Sequence, residues 1–129
     1  MRTHRRRGHS MIEAVSAAMI IIPVTLVLLD LLVLVIANSM NDSAAKNAAR
    51  AAANQSDAAS AFNAANKSLE SFKPSSIIPE LKIQTFNYPN AQDIVTCKTR
   101  MKVVLPVPFP GYHQLTFEAQ AAEPVVGTK

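Results

Sequence analysis

Residues 14–37 read AVSAAMIIIPVTLVLLDLLVLVIA, twenty-four positions with one charged side chain, Asp30. A helix rises 1.5 Å per residue, so this run extends about 36 Å, enough to cross a hydrocarbon core of about 30 Å with some tilt. A soluble protein would need a large domain to bury a helix of that length and character, and the whole chain has 129 residues. Four arginines, Arg2, Arg5, Arg6 and Arg7, precede the run, whereas the first basic residue after it is Lys46. The excess of positive charge on the N-terminal side places that side in the cytoplasm and everything from Asn38 onward outside. A cleaved secretory signal is the competing reading, since Ala37, Asn38 and Ser39 supply small residues for signal peptidase. The apolar core of such signals runs to about 7 to 15 residues, shorter than this one.

Outside that run the composition bounds the function. The chain is 49% hydrophobic with 5% aromatics and no Trp, and much of the remaining apolar content is Ala, so any water-soluble core is small and a large catalytic domain is excluded. The four N-terminal arginines account for the whole formal net charge of +4, leaving nine basic and nine acidic residues in the rest. That balance gives no support to a nucleic-acid partner. Cys97 stands alone, which rules out an intramolecular disulfide, and its strand-like surroundings make it a small buried apolar residue.

Downstream, twelve of the twenty-two residues 44–65 are Ala, the strongest helix former. Ala58, Phe62, Ala65, Leu69 and Phe72 fall at helical spacing, and the helix is expected to stop at Lys73 and Pro74. Asn38, Ser39, Asn41, Asp42 and Ser43 offer N-caps that would begin a helix separate from the membrane run; continuity across residues 38–43 is left open at this level. After Pro74 the period changes to two. Val95, Cys97, Thr99, Met101, Val103 and Leu105 alternate with a face bearing Lys98, Arg100 and Lys102. Residues 114–120 alternate likewise, and residues 81–88 form a weaker strand. Breaks at residues 87–93 and 106–111 predict a three-stranded antiparallel meander, with the stripe of Phe62, Leu69 and Phe72 over its apolar face because such a sheet is marginal alone. The fold class is therefore α+β: a long N-terminal helix, transmembrane in its first half, followed by a small antiparallel sheet.

Arg5, Arg6, Arg7, Gly8, His9, Ser10, Met11, Ile12 and Glu13 join the leader to the apolar run. A basic stretch, a glycine, a glutamate five residues later and a long apolar helix together resemble a type IV prepilin signal. The resemblance implies that a membrane-embedded prepilin peptidase cuts between Gly8 and His9 on the cytoplasmic side, leaving Glu13 as the fifth mature residue. A glutamate at a bilayer edge is costly unless paired, and the new amino group of a neighbouring subunit is a natural counter-ion. Pro23 within the run, the late acidic Asp30 and the Asn47-Ala48-Ala49-Arg50-Ala51-Ala52 segment extend the similarity to the TadE-like minor pilins, or pseudopilins, of tight-adherence (Flp) systems. The chain departs from that pattern at Ala14, where an aromatic is usual, and at His9. This resemblance implies a division into a leader at 1–8, a helical region at 9–73 with its span at 14–37, and an outer β module at 74–129. It also implies an inner-membrane subunit whose partners are the peptidase, sibling pilins, an assembly platform and lipid. An uncleaved single-pass anchor whose outer domain binds another envelope protein is the alternative.

Asp30 in the outer half of the span is expected to meet a partner helix, or else to snorkel outward; Pro23 is expected to kink the helix. No nucleophile elbow, carboxylate pair or metal-ligand spacing supports an enzyme or a cofactor, His113 included. Lys98, Arg100 and Lys102 are read as a solvated face with Glu118 as cross-strand neighbour. The stiff apolar loop at 106–112 suits either docking onto another subunit or covering the edge of the core.

Overall fold

The computed structural model describes residues 6–88, 93–109 and 111–126. It contains α1 (Arg6–Ala53), α2 (Ala58–Glu70), β1 (Glu80–Asn87), β2 (Ile94–Phe109) and β3 (Tyr112–Pro124). The three strands form an antiparallel sheet in the order β1-β2-β3, as the period-two pattern predicts. All six residues of the apolar face of β2, from Val95 to Leu105, are buried. Of the expected breaks, residues 89–92 and Pro110 lie outside the described residues, as do residues 1–5 of the leader.

The helix does not break at residues 38–43. Asn41 is buried beneath β2, where its Oδ1 accepts a hydrogen bond from Thr99 Oγ1 at 2.9 Å, and Asp42 pairs with Lys46 one turn on at 2.6 Å. Side chains able to cap a new helix are thus used by the existing one. The break comes instead inside the Ala-rich segment. Asp57 has extended backbone at φ −139° and ψ 157°, and its Oδ1 accepts from Ala59 N–H at 3.0 Å and Ser60 N–H at 2.9 Å, an N-cap that starts α2. The end of α1 is closed from the far side of the molecule, where Val126 N–H donates to Ala53 O at 2.9 Å and Tyr88 Oη donates to Gln55 O at 2.8 Å. At its own end α2 stops at Glu70, three residues before Lys73, with Ser71 as C-cap.

Which helix covers the sheet differs from expectation. β2 has 16 residues and extends about 53 Å, whereas the 13 residues of α2 extend only about 20 Å. The second half of α1 covers the sheet instead. Asp30, Leu34, Ala37, Asn41, Ala45, Ala48 and Ala52 recur at spacings of three and four and form one seam along that helix. Ala45, Ala48, Ala49 and Ala52 pack with Val95, Cys97 and Ala121 of the sheet and with Ala61 and Ala65 of α2. Nearer the N-terminus, Ala37, Val33 and Leu34 pack with Met101, Val103 and Phe117. Small residues on the seam let the backbones approach closely. α2 lies against α1 and reaches the sheet at its β1 edge, where the rings of Phe62 and Phe86 meet edge to face at 5.4 Å. The expected stripe therefore turns: Ala61 and Ala65 are buried, while Phe62 stays 44% exposed and Ala58 is exposed.

Candidate functional site

β2 runs antiparallel to α1, from the level of Ala52 toward the helix N-terminus, and ends beside Asp30. N-terminal to that point, residues 10–29 of α1 are exposed among the described residues. Met11, Met19, Ile21 and Leu28 are between 59% and 75% exposed, and α1 is long and apolar enough to cross a membrane. The helix continues through Pro23.

Gly8 and His9 lie in the first turn of α1, with the His9 side chain outside the described residues, and Glu13 is exposed about one turn further on. Asp30 is seventeen residues beyond Glu13, about 26 Å along the axis, so the structure does not bring the two carboxylates together. Asp30 is only 4% exposed. Its Oδ1 accepts a hydrogen bond from the backbone N–H of Val107 at 3.1 Å, and its Oδ2 is buried without a partner among the described residues. Asp30 thus meets its own chain, through a contact with the tip of the β2–β3 hairpin. Leu105 at that tip is buried and Val107 half-buried, while Pro106, Pro108, Tyr112 and His113 are exposed. Residues 106–109, expected as part of a loop, belong to β2, and this end of the hairpin covers one end of the core through Leu105 and Val107 while Pro106, Pro108 and Tyr112 are exposed.

On the outer face of the sheet the basic strand is answered by two glutamates. Glu118 accepts from Lys98 Nζ at 2.6 Å and Arg100 Nη2 at 2.8 Å. Those hydrogen bonds, Lys98 first, bring its carboxyl down to about 2. Glu80 pairs with Lys82 and with Lys102 at 2.9 Å, and those bonds likewise bring it to about 2. Lys98, Arg100 and Lys102 thus form a paired surface band.

A groove of about 410 Å³ opens between α1, the end of α2 and β1, lined by Ser39, Ser43, Asn47, Ser68, Ser71, Lys73 and apolar neighbours, with no carboxylate, imidazole or thiol among the described residues of its walls. No group of three His, Cys, Asp or Glu able to hold a metal ion occurs among the described residues. Burial raises the Cys97 thiol to about 11, so it is packed and not activated. Sequence reading missed the Asn41–Thr99 and Asp30–Val107 contacts. The available signal was that Asp30 and Asn41 share the spacing of the alanine seam.

No protein-family model, curated protein or solved structure matches the chain.

Proposed function

We propose that this chain is a structural, non-enzymatic subunit of a tight-adherence or related type IV-like pilus or secretion filament, a minor pilin or pseudopilin. The single observation that supports it most is the division of α1. One uninterrupted 48-residue helix carries the outer domain on its second half and leaves its first half bare and apolar. A bare apolar cylinder requires cover, by lipid before assembly and by equivalent helices of sibling pilins afterwards. The N-terminus is cytoplasmic, the sheet lies outside the inner membrane, and prepilin peptidase cuts between Gly8 and His9. Glu13 then pairs with the new amino group of a neighbouring subunit, and an inner-membrane platform extracts the helix into the filament.

The uncleaved anchor is favoured by one feature: α1 begins at Arg6, so the Gly8–His9 bond lies in helical backbone that a protease must unwind. Recovery of the chain separates the two. A filament subunit is expected in the sheared surface-filament fraction and in co-purifications with sibling pilins, and both are lost when the peptidase is inactivated. An anchor stays in the membrane fraction in either case.

A further inference from the structure

The two faces of α1 disagree about where a membrane would end. On the face away from the sheet, apolar side chains remain exposed well past Asp30, with Leu31 at 51%, Leu32 at 56%, Val35 at 68% and Ile36 at 49%. On the face toward the sheet, the hairpin tip already touches the helix at Asp30. The uncharged, bare part of the helix between Glu13 and Asp30 is sixteen residues, about 24 Å, and falls short of a hydrocarbon core of about 30 Å. Both faces are satisfied together only when the apolar layer extends past Asp30 to about Ile36 and takes in the tip beside it.

We infer that the tip of the β2–β3 hairpin, with Pro106, Val107, Pro108 and Tyr112, is seated in the outer leaflet of the bilayer alongside α1. The inference rests on the membrane-spanning reading of α1. From Asp30 to Ile36 is six residues, so Val107, held at Asp30, lies about 9 Å deep, within the range that amphipathic surface segments reach. The chemistry of the tip fits that depth. Residues 103–117 contain no Lys, Arg, Asp or Glu, and the charged band of the sheet begins at Lys102 and Glu118, on the side away from the membrane. Tyr112 is 68% exposed at the end of the hairpin, and tyrosine favours the membrane–water boundary.

The backbone fits as well. A strand end in lipid is penalised for each N–H without an acceptor. Pro106 and Pro108 have none, Val107 N–H is held by Asp30, and Val104 N–H donates to Ile77 O at 2.7 Å. The ladder between β2 and β3 is irregular between Val104 and Phe109, the stretch where these substitutes act. Asp30 in turn is shielded from lipid by the strand that it holds.

The chain has no Trp, so single-Trp variants report on one place each. Tyr112→Trp, Ile21→Trp and Gln120→Trp place the indole at the tip, in the bare helix and at the charged end of the sheet, all at exposed positions. The full chain of each is reconstituted in phosphatidylcholine vesicles carrying a spin label at a shallow or a deep acyl position, and fluorescence is read. The expected result is that Tyr112→Trp is blue-shifted and loses most of its emission to the shallow label, Ile21→Trp to the deep label, and Gln120→Trp to neither. Ile21→Trp quenched with Tyr112→Trp behaving like Gln120→Trp would overturn the tip placement and leave the span standing. Ile21→Trp unquenched would overturn both. A blue-shifted but unquenched Tyr112→Trp would assign the tip to another protein copy, and quenching at Gln120→Trp would lay the whole sheet on the membrane; either outcome contradicts the placement. His113→Trp, exposed at the next position, replaces Tyr112→Trp if that variant loses its thermal transition.

Discussion

Asp30 is seventy-seven residues from the backbone N–H that it holds, and that separation is why its role was invisible in the sequence. An acidic residue in an apolar run reads as a cost awaiting a partner helix; only the tertiary path of β2 supplies the partner from the same chain. What Val107 N–H requires is an acceptor. Asp30→Asn retains a carbonyl oxygen there and is expected to keep the thermal stability of the detergent-solubilised protein nearly unchanged. Asp30→Leu strands the N–H and is expected to cost about 1–3 kcal/mol. Equal melting temperatures for the two variants would remove the latch from the explanation. Glu13 is exposed on the helix, so Glu13→Ala is expected to move stability by no more than about 0.5 kcal/mol and, under the proposed filament role, to reduce co-purification with sibling pilins. Unchanged recovery would end its pairing role. Cys97 was legible as an ordinary buried residue from its place on the apolar face of a strand, and it is 0% exposed. Maleimide labelling of the native protein is accordingly expected only at the rate of unfolding, and rapid labelling would show the core to be open.

At the scale of elements, the strands were legible because period two runs along most of β2; β1 was read at its full length, β3 was read short at both ends, and β2 was read short because Pro106 and Pro108 look like terminators. Asp30 and an irregular ladder accommodate them. The helices were less legible: the capping side chains at residues 38–43 left continuity open, which tertiary use of Asn41 settles in favour of one helix, and the break before Asp57 was not anticipated. The alanine seam leaves no room for longer side chains. Ala49 is fully buried, and Ala49→Leu is expected to destabilise by about 1–3 kcal/mol in a thermal or denaturant melt. A neutral outcome would show the α1–sheet contact to be loose. The paired glutamates give the sheet a pH response. Glu80 and Glu118 ionise at about 2 in the folded chain, against an ordinary 4.5. Their stabilisation is therefore complete above about pH 5 and is lost as pH falls from there toward 2. Asp57 shifts in the same direction, chiefly through the Ser60 N–H bond, and adds to the loss. Glu118→Gln is expected to flatten the acid side of a plot of melting temperature against pH, modestly and less at high salt because these groups are exposed. An unaltered profile would assign the acid loss elsewhere.

As a whole, the molecule is a small α+β domain strung along the second half of a helix whose residues 10–29 are exposed among the described residues. Length, charge bias and apolar run made that division readable in the sequence. The overlap of about six residues between hairpin tip and apolar helix was not, because it depends on how far down α1 the strands reach. The proposed filament role rests on processing at the Gly8–His9 bond. The most direct measurement is therefore the mass of the N-terminal peptide of the protein purified from its native membrane. A terminus at His9, methylated or not, is the expected result, and an intact Met1 or Arg2 terminus in cells containing an active prepilin peptidase would contradict it.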